Sequence, residues 1–290
     1  MLKVIIQSSS LIGKRDKNED EIDLINNLNG DIIDMKRVIY GAVFDGHGGG
    51  DVSKIIKNKL NISKYLIHND AREIKATIEY NNHINKIFSL IQQQLINKET
   101  KANKMGSTCL ISIIYPKNLS SIDHDYNIKV INLGDCRAVI CNKYNIGVPL
   151  SKDHKPSRWD EELRIIQEGG KIELEIGDDP RVSGLSVSRC FGDLDCKNIS
   201  QMPEIFDYKL EKDKFMIMAC DGLWDVLSNQ DAVDFILKEL STLKKISELK
   251  DKTMKSKTEK NIANSIAQYA IEKGSTDNLS VNLIFFIDNM

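Results

Sequence analysis

No apolar run in this sequence approaches the roughly 18 residues needed to cross a bilayer, so membrane insertion is not expected. Met1 to Ser10 carry no secretory apolar core with a small-residue cleavage site, and Leu2 in place of glycine excludes N-myristoylation. An intracellular protein, cytoplasmic or nuclear, is the expectation. There is no excess of either charge: 40 Lys and Arg against 42 Asp and Glu leave a net charge of −2, without the broad positive field that non-specific nucleic-acid binding needs. The six cysteines, Cys109, Cys136, Cys141, Cys190, Cys196 and Cys220, form no C-x-x-C pair and have no histidines at zinc spacing. None has an arginine six positions later, which closes the route in which a cysteine thiolate attacks a cradled phosphate. No Pro/Ser-rich linker and no internal repeat divides the chain, so one domain spanning 1–290, acting as a monomer, is expected.

What is present is enough for a sizeable core: 41% of the 290 residues are hydrophobic and 28% charged. Runs of strand length predict strands at Lys3 to Gln7, Ile22 to Leu28, Val38 to Phe44, Thr108 to Tyr115, Ile128 to Leu133, Arg137 to Cys141, Phe215 to Cys220 and Leu279 to Ile287. Apolar stripes at Val52, Ile55, Ile56 and Leu60, and at Ile84, Ile87, Phe88, Ile91 and Leu95, predict two helices that pack on a sheet. Further helices are predicted over Asp160 to Glu168, Gln230 to Leu240 with Asn229 as cap, and Asn261 to Lys273 before Gly274. Gly177 to Gly184 reads as a mobile loop, and Thr242 to Lys260 as a Lys-rich solvated insertion.

The chemistry sits where apolar strands end. Val38 to Phe44 runs into Asp45-Gly46-His47-Gly48-Gly49-Gly50, Phe215 to Cys220 runs into Asp221-Gly222-Leu223-Trp224-Asp225, and Asp277-Asn278 opens the last strand. Glu19 and Asp20 precede another strand, and Asp135 follows one. Each piece alone has a duller reading: Asp-Gly is a turn signal, a lone histidine a polar loop residue, and Gly46 to Gly50 a near miss to a dinucleotide loop. If the strands are neighbours, however, the carboxylates converge, and two of them about 5 Å apart repel by about 3 kcal/mol at an effective dielectric of 20. A cation must sit there, and an all-oxygen donor set suits magnesium or manganese better than zinc.

The pieces recur in a fixed order: Arg15-Asp16-Lys17-Asn18-Glu19-Asp20, Phe44-Asp45-Gly46-His47-Gly48-Gly49, Gly106-Ser107-Thr108, and Asn132-Leu133-Gly134-Asp135-Cys136-Arg137-Ala138. Next come Leu150 to Pro156, Arg181-Val182 to Gly184-Leu185, Val187 to Asp193, Asp221 to Val226, and Gly274 to Asn278. Over nearly its whole length the chain resembles the metal-dependent serine/threonine protein phosphatases of type 2C. The resemblance implies an α+β fold, a two-layer antiparallel β-sandwich flanked on both faces by helices. It implies that Asp45 bridges two metal ions, Mg2+ or Mn2+, with the Gly46 carbonyl, Asp221 and Asp277 as further ligands. Glu19 and Asp20 would hold metal-bound waters, and Asp135 and Asp225, with Asp221, a weaker third ion. Arg15 resembles the phosphate-binding guanidinium and His47 the general acid. The implied reaction is hydrolysis of phosphoserine and phosphothreonine in proteins by a water between two metals, with no covalent phosphoenzyme and with phosphoproteins as partners. Residues 177–184 would form a flap beside the site. Cys136 stands where the family usually has serine, Cys190 where it has alanine and Asn18 where animal members often have methionine; none replaces an implied ligand. Two other readings compete: a binding-only pseudophosphatase, whose signature of a lost ligand is absent, and a hydrolase of other phosphoesters such as a nuclease, against which the charge balance argues.

Overall fold

The computed structural model describes residues 2–25, 38–60, 77–97, 101–116, 125–250 and 260–287. Elements are numbered in chain order. One five-stranded sheet runs β1 (Val4–Leu11), β15 (Leu279–Phe286), β14 (Phe215–Ala219), β8 (Arg137–Cys141), β9 (Gly147–Pro149). The other runs β13 (Glu204–Leu210), β7 (Tyr126–Leu133), β6 (Cys109–Pro116), β3 (Ile39–Phe44), β2 (Glu21–Ile25). Neighbours in both sheets are antiparallel.

The sheets pack face to face, and helices cover both outer faces. Alternate residues of one strand serve different layers. Leu110 and Ile114 of β6 join Val43, Met216, Met218 and Ile284 between the sheets, while Ile111 and Ile113 face outward. On that outer face lie Val52 and Ile56 of α1 (Asp51–Leu60) and Ile84, Phe88, Ile91 and Leu95 of α2 (Thr77–Asn97). On the opposite face Phe215, Ile217 and Ala219 meet Val233 and Ile236 of α5 (Asn229–Lys250) and Ile266 and Ala270 of α6 (Ile262–Glu272). Burial on both faces is why β3 and β14 read as unbroken apolar runs, while β6 and β15 are broken only by the buried Ser112, Ser280 and Asn282. The expected helix-flanked antiparallel sandwich is the fold observed.

Several expected boundaries move. Strand β1 continues past Gln7 through Ser8, Ser9 and Ser10 because it pairs with β15 as far as Leu11 opposite Leu279, so tertiary pairing overrides the weak strand tendency of serine. Of the predicted Ile22 to Leu28 strand, Ile22 to Ile25 is β, and residues 26–28 lie outside the described residues. Strand β13 carries no clean alternation in sequence and is held as an edge strand by seven register pairs to β7. Helix α5 extends through Lys250, so the first nine positions of the expected 242–260 insertion are helical; 251–259 lie outside the described residues. Its start is capped by Ser228 and not by Asn229. Ser228 Oγ accepts from the Asp231 amide at 3.1 Å while Asp231 accepts from the Ser228 amide at 3.2 Å, a reciprocal capping box, and Asn229 instead accepts from Arg137 at 2.9 Å. Within 177–184, Arg181–Val182 form β11, paired with β10 (Ile172–Glu173), so the segment read as irregular contains one arm of a hairpin.

Candidate active site

Antiparallel register brings the acidic residues to one edge of the sandwich. Glu21 of β2 lies opposite Phe44 of β3, so Asp20 and Asp45 leave the sheet together. Ala219 of β14 lies opposite Val281 of β15, which sets Asp221 beside the Asp277-Asn278 turn. Asp45 is fixed through its backbone, its amide donating to Thr108 Oγ1 at 3.1 Å and its carbonyl accepting from the Thr108 amide at 2.9 Å. Asp221 opens the single-turn helix α4 (Asp221–Trp224). Glu19 is tied to both sides of the edge: its amide donates to Asn278 Oδ1 at 2.9 Å, its carbonyl accepts from Ser53 Oγ at 2.6 Å and its carboxylate accepts from the Gly49 amide at 3.1 Å. Gly46 must be glycine, because a Cβ there would stand 2.3 Å from the Glu19 carbonyl oxygen.

Arg15, Glu19, Asp45, Gly46, His47, Asp135, Asp221 and Asp277 line one cleft of about 500 Å³, joined by Arg181 from β11. Asp20 is buried and Asp225 exposed at the C-cap of α4, and neither lines the cleft. Arg15 donates to Asp277 Oδ2 at 2.7 Å, so the guanidinium expected to hold phosphate rests on an expected ligand.

The electrostatics are those of crowded buried acids. Burial first, then the charges of Asp221, Asp20, Asp135 and Asp277, hold the Asp45 carboxyl well above the usual carboxylate range. Asp221 is raised by burial, then by Asp135 and Asp225, against the opposing pull of Lys155. Burial pushes Asp20 to about 6, and Asp225 is raised by burial more than Lys155 lowers it. Carboxylate oxygens of Asp45 and Asp221 lie within 4.8 Å, a repulsion of about 3.5 kcal/mol at a dielectric of 20 if both ionise. Asp20 Oδ2 is buried without a hydrogen-bond partner. An oxygen-rich donor set with an orphaned buried oxygen fits hard divalent ions.

Two residues of the site went unassigned in the sequence reading. Lys155 Nζ donates to the buried Asp135 Oδ2 at 2.5 Å; burial would lower its pKa, but Asp135, with Asp221 and Asp225, raises it. Asp193 meets His47, Nε2 and Oδ2 standing 2.5 Å apart across 146 positions of sequence. A small sheet makes that meeting: β5 (Gly106–Ser107) lies between β4 (Gly46–His47) and β12 (Phe191–Gly192), with His47 and Gly192 both registered on Gly106. Both Lys155 and Asp193 belong to the ordered motifs above, so their place was visible and their partners were not.

Crowded buried acids that repel one another, beside an imidazole held on a carboxylate, suit a metal-dependent phosphatase. A family model described as Protein phosphatase 2C matches residues 6–279, and the chain belongs to that family. It is a type-2C serine/threonine phosphatase. A PP2C-like domain-containing protein of Acanthamoeba polyphaga mimivirus is 44% identical over 171 residues, 55% of this chain and 94% of that one. Protein phosphatase 1L of Bos taurus is 33% identical over 78% of this chain and 61% of its own length. Among solved structures, a phosphatase from Toxoplasma gondii superposes with a TM-score of 0.74 at 22% identity, over 98% of this chain and 93% of that one, a likeness of fold. Among the described residues no helix is long and apolar enough to cross a membrane.

Proposed function

We propose that the chain hydrolyses phosphoserine and phosphothreonine in proteins, using two Mg2+ or Mn2+ ions held by Asp45, the Gly46 carbonyl, Asp221 and Asp277. Glu19 and Asp20 would hold waters of those ions, and Asp135 and Asp225 with Asp221 would take a weaker third. When bound, such ions supply a water acidic enough to attack near neutral pH and positive charge against the phosphoryl oxygens. The observation that carries the reading is the convergence of Asp45, Asp221 and Asp20, each raised by burial and by neighbouring acids.

The chain's own residues do the rest. Arg15, more than half exposed at the cleft, exchanges its Asp277 partner for two phosphate oxygens, which a planar guanidinium grips in a bidentate manner. His47 protonates the departing serine or threonine oxygen. Its Nε2 is taken up by Asp193, so Nδ1 is the nitrogen left to give the proton. No protein nucleophile is needed, in keeping with five of the six thiols being buried. Residues 177–184 act as a flap, a reading supported by Arg181 reaching the cleft while it pairs with Asp178 at 3.0 Å.

The test is turnover of a phosphothreonine peptide with Mn2+ or Mg2+ and then with EDTA. Hydrolysis that needs the added ion is expected; undiminished hydrolysis in EDTA, or none with either metal, refutes the proposal.

A further inference from the structure

A second cluster of metal-ligating atoms stands beside the carboxylate edge, and its donors are of a different kind. A ring nitrogen of His47, Cys190 Sγ and a carboxylate oxygen of Asp193 all lie within 4.8 Å of one another. Cys190 donates to Asp193 Oδ2 at 3.2 Å, and that same oxygen is 2.5 Å from His47 Nε2. The trio is built and not incidental. Asp193 takes a left-handed backbone, φ 45°, directly after Gly192 at φ 80°, and is pinned by its amide to the Met105 carbonyl at 2.9 Å. Gly106 leaves room for the cluster, since a Cβ there would stand 2.0 Å from Asp193 Oδ2 and 2.4 Å from His47 Nε2.

We propose that His47 Nε2, Cys190 Sγ and Asp193 Oδ2 form a binding site for Zn2+, separate from the carboxylate site, and that zinc bound there removes His47 from proton donation. Imidazole and thiolate select zinc over magnesium, which keeps to octahedral oxygen. Ligand distances of about 2.0 to 2.3 Å in a tetrahedron put donor atoms roughly 3.4 to 3.6 Å apart. The sulfur–oxygen pair is already near that spacing. The nitrogen–oxygen pair must open by about 1 Å, and His47, with 30% of its side chain exposed against 3% for Asp193, is the member free to turn. The cleft that His47 lines is the way in, and water can complete the four ligands. As the Zn–S bond forms the thiol gives up its proton to water in the cleft; without a metal, burial and Asp193 hold that thiol well above its ordinary pKa.

The inhibitory half rests on His47 being the proton donor; the binding half does not. The experiment uses the full chain saturated with Mg2+ and titrates it first with Co2+, then with Zn2+. Co2+ should give a thiolate-to-cobalt charge-transfer band that Cys190→Ala and Cys190→Ser both lack. Cys220→Ala should keep it, although Cys220 lies by Asp45 and Asp221. Zn2+ should inhibit hydrolysis of a phosphothreonine peptide well before that of p-nitrophenyl phosphate, whose leaving group needs no proton. The Cys190→Ala protein should need about tenfold more zinc or above, since even outer partners of a metal site are worth that much. A band that survives in both Cys190 variants, or is lost in Cys220→Ala, overturns the site. A Cys190-dependent band with equal inhibition of both substrates upholds the site and overturns the proton-donor reading.

Discussion

Replacing Asp20 by asparagine in protein stripped of divalent ions with EDTA isolates the strain of the carboxylate edge. Burial, joined by the charge of Asp277 and opposed by hydrogen bonds with Ser280, Cys220 and Asp45, raises this carboxyl from its ordinary 3.8 to about 6. The folded chain therefore holds a proton at Asp20 more tightly than the unfolded chain does. Stability from this source is fully present below about pH 4 and is lost as the pH rises through about 6. At about 1.4 kcal/mol per pH unit the loss is about 3 kcal/mol by pH 7 to 8. Asparagine cannot ionise, so its stability curve lacks this fall, while any pH-independent cost of the swap cancels when the two curves are subtracted. Urea unfolding of both proteins from pH 4 to pH 8 is the assay, and the difference should grow by about 3 kcal/mol in favour of Asp20→Asn. Saturating Mg2+ should shrink or reverse the gap, because the ion stabilises the wild-type carboxylate only when folded. Parallel curves in EDTA across that range would refute the account of Asp20 as a buried acid waiting for a cation.

Asp221→Ala should abolish turnover and leave a folded, metal-free protein at least as stable as wild type, since it removes a ligand and relieves the repulsion on Asp45; full activity would sink the ligand assignment. His47→Ala should lower kcat for alkyl phosphates by about 10² to 10⁴ and for p-nitrophenyl phosphate only slightly, with Mg2+ affinity near wild type, and Asp193→Asn should show the same leaving-group pattern more weakly. Equal losses on both substrates would make His47 a positioning residue. Arg15→Ala should raise KM for both substrates with little change in kcat, and the opposite split would place the guanidinium in the transition state alone. Shortening 177–184 should reduce kcat/KM for phosphoproteins more than for aryl phosphates, and an equal change would end the flap reading.

Strands with both faces covered were legible because continuous burial demands continuous apolar residues; Arg137–Cys141 falls where the sequence puts it. Weakly patterned strands were not. Glu204–Leu210 is half-exposed and held by pairing to β7, and Ser8 to Ser10 become strand only because β15 lies alongside. Helix α5 ran on through Lys250 because its polar continuation lacked a stop signal, a condition that periodicity alone does not register.

The site divides in the same way. Which carboxylates end which strands is a local fact, written in Asp45-Gly46, Asp221-Gly222 and Asp277-Asn278, and so are the histidine two residues after Asp45 and the family motifs. Partners are non-local. That Arg15 rests on Asp277, Lys155 on Asp135 and His47 on Asp193 depends on sheet register over separations of 262, 20 and 146 positions. No spacing rule within one element reaches across such distances. The chain's residues determined the kind of chemistry by supplying acids, an imidazole and glycine-sized gaps. Only the tertiary packing decided which charge each group meets, because Coulomb energy and hydrogen bonding depend on distance in space and not on position along the chain.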